Sequence, residues 1–237
     1  MRITFRCPPE LQAVLPPPVA AAACLPPWLK SMPGTAFDRD SGTAVRTLKH
    51  CPPLLDALGL GYLILLPADL QVGPGPSFTW DWSPPPTRLP GLPRSPISFH
   101  AAAQGEGAGL APPGRRFLKF LNFWTIETEP GISVLASHPF NRHDLPFTTL
   151  TGMIDTDLYR AGLVHFPAVW RDDRFTGVLP RGTPVAQLIP LRREPLDATV
   201  SVLDEPGQLA TEQLRHELDT QTGIYRKRFR ARRGGTG

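Results

Sequence analysis

The sequence predicts a mainly β protein: a barrel of short strands with an extended proline-rich N-terminal segment and a C-terminal helix. Proline supplies 30 of the 237 residues, against an average share of about 5%. Each proline removes a backbone donor and clashes with the preceding helical turn, which excludes a helical bundle or a coiled coil. Hydrophobic residues still make up 41% of the chain, so a wholly disordered chain is excluded as well.

The prolines are unevenly distributed along the chain. Nineteen of the 30 lie before residue 100, in segments such as LPPP and PPWLKSMP, which we expect to lie extended over a surface. Residues 1–50 are therefore predicted to form a lead-in packed on a barrel core of residues 51–200. Residues 205–233 carry leucines at roughly helical spacing, and they predict a C-terminal helix followed by a basic tail.

Short apolar runs bounded by turn residues predict the strands of the core. The predicted strands, in chain order, are Gly61–Leu66, an edge strand carrying Trp80 and Trp82, Phe117–Ile126, Ile132–Ser137, Thr148–Asp155, Leu163–Trp170 and a last strand that ends near Leu191.

The cysteines and the first residues of the sequence indicate in which cellular compartment we expect the protein. Cys7, Cys24 and Cys51 are an odd number at wide spacing and form neither a disulfide framework nor a CxxC metal motif. The start, MRITFRCPPE, has no apolar signal core, and the apolar run at 20–25 is too short to span a membrane. We therefore expect a reduced, cytoplasmic protein with no membrane partner.

The net charge of +4 is concentrated near the C-terminus. Six cations lie within residues 224–233, and the rest of the chain has 19 basic and 21 acidic residues. The basic tail Arg226–Arg233 is suited to contact phosphates of a nucleic acid or an acidic partner. A non-catalytic interaction module that binds its partner through this tail is one function left open.

Two segments of the second half carry a family resemblance. They are Gly152-Met-Ile-Asp155-Thr-Asp157 and Gly182-Thr-Pro-Val-Ala186-Gln187-Leu188. With a looser match around Asp56–Asp69, they resemble the dUTPase and dCTP-deaminase superfamily, which has a G-V-I-D-x-D-Y turn before a closing G-D-R-I-A-Q-L strand. The clear match covers residues 130–193. The resemblance implies that superfamily's barrel, a homo-oligomer such as a trimer with shared sites, and dUTPase-type nucleotide hydrolysis as one alternative activity.

The whole chain also resembles a family of bacterial and phage proteins of unknown function. Those proteins share a PPWLK-like lead-in, an N-R-x-D-L-P-F loop and a G-T-P-x-A-Q strand with this sequence. This second resemblance indicates which proteins are related to the chain, but it implies no particular reaction.

The superfamily resemblance implies roles for three residues. Asp155 would hold a catalytic water or a sugar hydroxyl, Tyr159 would lie near the sugar ring, and Gln187 would have a structural or ligand-contact role. The sequence departs from the superfamily pattern by one residue inserted before Tyr159. The superfamily's phosphate-binding P-R-S-G segment is also replaced here, by residues 137–147.

The replacement loop is the strongest site candidate in the sequence. An arginine beside an asparagine can fix a carboxylate or a phosphate, and a histidine can transfer protons near neutral pH. We therefore predict a small-molecule-binding, non-redox enzyme of specialised or nucleotide-related metabolism that acts on an anionic ligand. The predicted catalytic residues are Asp155, His138 and His143, and the predicted substrate-binding residues are Asn141, Arg142, Asp144, Tyr159, His100 and Gln187.

A metal-dependent oxygenase is a further alternative. The chain has six histidines, and two or three of them with a carboxylate could bind iron or copper. No HxD or HxxxH pattern is present, and P-loop, GxGxxG and GxSxG motifs are missing too. The sequence thus implies no cofactor, and a divalent metal stays an alternative.

Overall fold

The computed structural model describes residues 1–111 and 117–231. As predicted, the protein is mainly β, with several antiparallel sheets and a C-terminal helix. Its contacts divide the chain into two units. Unit 1 comprises Met1–Pro33 and Asp56–Arg193, and unit 2 comprises Gly34–Leu55 and the described residues from Glu194 onward.

Unit 1 contains four antiparallel sheets, whose strands are numbered in chain order. The five-stranded sheet has the order β13 (Gly152–Ile154), β11 (Ile132–Ser137), β16 (Pro184–Arg192), β5 (Tyr62–Leu65) and β2 (Val19–Ala20). The four-stranded sheet has the order β12 (Phe147–Thr149), β14 (Phe166–Trp170), β9 (Leu118–Phe120) and β8 (Ile97–Phe99). The two smaller sheets are β15 (Gly177–Leu179), β6 (Leu70–Gly73) and β7 (Ser77–Thr79), and the pair β1 (Ile3–Arg6) and β10 (Thr125–Thr128).

Helical segments of unit 1 are short. α1 spans Pro27–Ser31, and 3-10 turns occupy Pro9–Leu11, Ala21–Ala23 and Ala102–Gly105. α2 (Pro52–Leu58) begins in unit 2 and ends in unit 1.

The apolar core of unit 1 is shared by its sheets. It includes Phe120 and Phe147, whose ring centroids lie 4.6 Å apart and whose side chains are fully buried. A second, smaller cluster joins the N-terminal segment to the rest of unit 1, because Leu11 and Leu15 pack against Leu121 and Phe123. Burial of such side chains removes apolar surface from water and stabilises the unit.

The long pairing of β11 with β16 organises the five-stranded sheet. Six residue pairs run from Ile132 opposite Arg192 to Ser137 opposite Gln187. On its other edge β11 pairs with β13, with Val134 opposite Ile154. Residues that precede β11 and residues that follow it therefore lie at opposite ends of the sheet.

Two predicted single strands are each two strands, and the prediction was wrong there. The segment 117–126 breaks because the Asn122 side chain hydrogen-bonds both the N–H and the carbonyl of Trp124. The segment 148–155 breaks at Leu150, where the chain leaves the four-stranded sheet for the five-stranded one. Trp80 and Trp82 follow the end of β7 and are not in a strand.

Unit 2 consists of a hairpin, short turns and the C-terminal helix. The hairpin pairs β3 (Thr35–Asp38) with β4 (Thr43–Arg46), and a 3-10 turn occupies Leu48–His50. α3 (Glu205–Thr220) begins after Asp204, whose carboxylate accepts a 2.9 Å hydrogen bond from the N–H of Gly207. Aspartate at this position satisfies a helix donor that has no partner inside the helix.

The predicted C-terminal helix occupies the first part of residues 205–233. It ends at Thr220, ahead of Gly223, whose φ of +77° is a left-handed conformation that favours glycine. A π-helical turn, Tyr225–Phe229, follows. Arg232 and Arg233, the end of the predicted basic tail, lie outside the described residues. Within those residues every helix is too short or too polar to cross a bilayer.

Candidate functional site

The loop 138–147 connects β11 to β12, and its arginine and aspartate bind each other. The Arg142 guanidinium donates from Nε to Oδ1 of Asp144 at 2.8 Å and from Nη2 to Oδ2 at 2.9 Å. The Arg142 side chain is 10% exposed and that of Asp144 is 38% exposed. Burial acts to raise the pKa of the Asp144 carboxyl, but the hydrogen bonds and charge of Arg142 outweigh it and lower that pKa. The predicted anion-binding arginine is thus engaged by a carboxylate of its own loop.

His138 is held by the backbone on both sides of its ring. Nδ1 accepts from the N–H of Thr149 at 3.3 Å, so Nε2 carries the proton and donates to the carbonyl of Arg142 at 3.0 Å. Burial lowers the pKa of His138. The imidazole is therefore neutral near pH 7, and both nitrogens are occupied.

Gln187 positions the loop from the neighbouring strand β16. Its side chain is 1% exposed. Oε1 accepts from the N–H of Phe140 at 2.8 Å, while Nε2 donates to the carbonyls of Ala57 and Leu60 at 3.1 and 2.6 Å. All three partners are backbone groups, so Gln187 fixes the place of the loop in unit 1.

The remaining two predicted loop residues differ in exposure. Asn141 is half-buried and, with φ of +55°, is the one described non-glycine residue with a positive φ. Asparagine tolerates this conformation better than most residues. His143 is exposed.

Asp155 belongs to a second polar group, built around Arg193. Its Oδ1 accepts from Ser133 Oγ at 2.6 Å and from Arg193 Nη1 at 3.3 Å. Asp157 accepts from Arg193 at 2.8 and 2.5 Å and from the N–H of Gly131 at 2.8 Å. The hydrogen bond from Arg193 lowers the pKa of Asp157 to about 2. This network joins the turn after β13 to the start of β11 and the end of β16.

Sequence reasoning missed Arg193. The residue directly follows β16 and donates its backbone N–H to Gly131. The sequence did contain one indication of this residue, because two arginines stand together at 192–193, at the end of the strand that carries the matched A-Q-L segment.

Tyr159 lies beside the same turn. Its N–H donates to the carbonyl of Asp155 at 2.8 Å, and its ring packs directly over Gly162. A Cβ atom on Gly162 would lie only 2.0 Å from the ring. About half of the Tyr159 side chain is exposed, at 53%.

The two predicted groups lie at opposite ends of β11. Asp155 contacts Ser133 near the start of the strand, whereas His138 follows its last residue. Five residues of extended chain separate the two positions by about 17 Å. His100 follows β8, where its Nδ1 lies 3.3 Å from Oε1 of Gln104. The structure therefore does not gather the predicted pocket residues into one cleft.

No metal centre is visible in the part of the chain that the structure describes. Within residues 1–111 and 117–231, no three histidine, cysteine, aspartate or glutamate side chains come close enough together to hold a metal ion. The oxygenase alternative therefore has no ligand set among these residues.

A large cavity lies elsewhere in unit 1, beside the pair β1 and β10. Its volume is about 850 Å³. Phe123, Leu89 and Leu163 give it an apolar wall. Its other lining residues are charged, small or cyclic: Arg6, Cys7, Pro8, Pro9, Glu10, Arg88, Thr125, Glu127, Arg160 and Ala161. Four segments far apart in the sequence form this cavity, so no local motif indicated it.

Charged side chains surround the cavity. Arg6 Nε lies 2.9 Å from Oε1 of Glu127, and Arg88 Nε lies 3.8 Å from Oε1 of Glu10. Burial raises the pKa of the Cys7 thiol, which keeps this thiol protonated near pH 7. The cavity thus offers apolar surface together with arginines and carboxylates.

The residues that carry the superfamily resemblance, Asp155 and Gln187, both make hydrogen bonds within unit 1. No protein-family model matches the sequence, and no curated protein matches it either, so the resemblance stays a prediction.

Proposed function

We propose that the chain is a small-molecule-binding protein and that unit 1 holds an organic anion in the cavity beside β1 and β10. The observation that carries the proposal is the combination of size and lining. A volume of about 850 Å³ lies within the range of roughly 300–1,000 Å³ that is usual for small-molecule sites. Phe123, Leu89 and Leu163 suit an apolar body, and the arginines suit a carboxylate or phosphate.

Arg160 is the anchor that we assign to the anionic group. Arg6 and Arg88 already lie beside Glu127 and Glu10. For Arg160 the described residues provide no ion-pair partner, although it lines the same cavity. A ligand anion at Arg160 would provide that missing negative charge.

We extend this proposal to catalysis: the protein would be an enzyme of specialised or nucleotide-related metabolism. Non-redox chemistry on the bound anion needs a proton-transferring group at the cavity, and Glu10 and Glu127 are the carboxylates that line it. His138 receives no catalytic role here, because hydrogen bonds occupy both of its ring nitrogens, and neither His138 nor Asp155 lines this cavity.

A dUTPase-like barrel and a homo-oligomer belong to the same proposal. The barrel is supported by the placement of the two matched segments: one forms β13 with its turn, the other forms β16, and both strands pair with β11. The oligomer has only the family resemblance to support it.

A thermal-shift screen of carboxylates, phosphate esters and nucleotides tests the binding function. A ligand should raise the Tm of the native protein, and Arg160→Ala should remove the rise. Arg174→Ala, which removes an exposed arginine of unit 1 outside the cavity, is the matched control. Ala161→Trp should also remove the rise, because the indole would occupy the cavity. A ligand effect that survives both Arg160→Ala and Ala161→Trp would contradict the proposed site.

A further inference from the structure

Unit 2 contains a cleft whose charged lining is entirely basic. Its volume is about 440 Å³. None of the described residues that line it is acidic. Its basic lining residues are Arg46, Lys49, His50, Arg226 and Arg230.

Two segments far apart in the sequence bring these side chains together. Arg46 ends β4, and Lys49 and His50 form the 3-10 turn that follows. Arg226 lies in the π-helical turn, and Arg230 directly follows it and donates its N–H to the carbonyl of Tyr225 at 3.0 Å. The basic residues noticed at the C-terminus thus meet a second basic group that sequence analysis did not link to them.

Gly223 marks the contact between the two segments. A Cβ atom built on Gly223 would lie 3.9 Å from Nη1 of Arg46. The Arg46 guanidinium therefore lies beside the backbone that leads into the π-helical turn.

Another arginine of the π-helical turn, Arg228, differs from these residues because it lies beside an acidic side chain. Arg228 forms an ion pair with Glu217 of α3, so α3 supplies the counter-charge for this side chain. Arg226 instead lines a cleft that has no carboxylate in its described lining. Several like charges around one cleft raise the local positive potential and attract an anion of high charge.

We propose that this cleft binds a small anion with two or more phosphate groups. Guanidinium groups bind phosphate oxygens through paired, charge-assisted hydrogen bonds. Phosphate groups match a lining of this charge better than a single carboxylate, and Thr222 and Tyr225 add hydroxyl donors. A volume of about 440 Å³ suits a small molecule within the cleft rather than a long strand.

Calorimetric titration of the full chain with inorganic pyrophosphate tests the proposal. The native protein should bind, and Arg46→Ala and Arg226→Ala should each weaken binding about ten-fold or more, since each removes a charge-assisted contact. Arg39→Ala is the matched control, because it removes one exposed arginine of the hairpin outside the cleft. Added salt should weaken binding by screening.

Three results would overturn the proposal. The first is no pyrophosphate binding by the native protein, and the second is equal weakening by Arg39→Ala and Arg46→Ala. The third is binding of a short single-stranded oligonucleotide that pyrophosphate does not displace, which would make the cleft part of a nucleic-acid interface. If Arg46→Ala lowers the Tm, Thr222→Glu replaces it, because a carboxylate in the cleft should abolish pyrophosphate binding. Thermal shifts by ligands of the unit 1 cavity should be the same in Arg46→Ala and the native protein, which separates the two proposals.

Discussion

The side-chain carbonyl of Gln187 accepts a 2.8 Å hydrogen bond from the N–H of Phe140, 47 residues earlier in the chain. The amide of the same side chain donates to Ala57 and Leu60, about 130 residues earlier. The Gln187 residue itself is buried. One polar residue of β16 therefore holds together the polar loop and the end of α2.

Gln187→Met should lower the free energy of unfolding by about 1–3 kcal/mol, because the N–H of Phe140 and the carbonyl of Leu60 lose the hydrogen bonds that the Gln187 side chain makes to them. Urea denaturation measures this change. Gln71→Met is the control: Gln71 is exposed on β6, and its replacement should change stability by less than about 0.5 kcal/mol. Equal losses in the two variants would mean that the hydrogen bonds of Gln187 contribute nothing.

Gly61 and Gly75 form a matched pair for a backbone test. Both have φ near +70°, at +71° and +69°. A Cβ on Gly61 would lie 2.0 Å from the carbonyl oxygen of Leu188, whereas a Cβ on Gly75 meets nothing within 4 Å.

Gly75→Ala should therefore cost only the left-handed conformation, about 1–2 kcal/mol. Gly61→Ala should cost more, because β5 and β16 must also separate. Thermal denaturation of both variants checks the order, and a Gly61→Ala variant as stable as Gly75→Ala would contradict it.

The acid stability of the protein should depend on Asp157. Arg193 holds the pKa of this carboxyl at about 2, below the usual value of 3.8. Between these two values the unfolded chain binds a proton that the folded protein does not, so stability falls as the pH falls. The contribution of Asp157 is present above about pH 4 and is lost as the pH falls through about 2.

Asp157→Asn should therefore be less stable than the native protein at pH 5 and should approach it near pH 2. Chemical denaturation across this range measures the difference. Asp81→Asn replaces an exposed aspartate of unit 1 and serves as the control. A difference between Asp157→Asn and native protein that does not change with pH would show that Asp157 does not titrate in this way.

A second loss of stability should begin at higher pH, at His138. Burial lowers the pKa of this ring below its usual value of 6.5. The unfolded chain then takes up a proton first, so the stability contributed by the neutral ring is lost as the pH falls below about 6.5.

His138→Gln should be less stable at pH 7 and lose less stability than the native protein between pH 7 and pH 5. Burial also lowers the pKa of His165. A variant with both His138→Gln and His165→Gln should therefore show a still weaker dependence of stability on pH. His143→Gln, at an exposed position of the same loop, serves as the control for the substitution itself. An unchanged slope in His138→Gln would contradict the neutral, doubly bonded ring.

Elements with a local signal were predicted correctly from the sequence. β11 and β5 are short apolar runs bounded by turn residues, and α3 begins at a capping aspartate with leucines at helical spacing. The break at Asn122 was not predictable, because it depends on one side chain bonding the backbone two residues ahead. A hydrophobic pattern does not reveal that choice.

Composition and local patterns are enough to predict a mainly β chain, a polar loop at 138–147 and a basic C-terminal segment. Tertiary structure decided what these groups contact. It directs Arg142 to Asp144 and Gln187 to the backbone, and it brings Arg46 beside the turn that carries Arg226. The physical reason is that each of these polar groups takes whichever partner the fold brings within about 3 Å. Arg142 finds its partner within its own loop, whereas the partners of Gln187 lie far away in the sequence and are brought near by strand pairing, which no local pattern encodes.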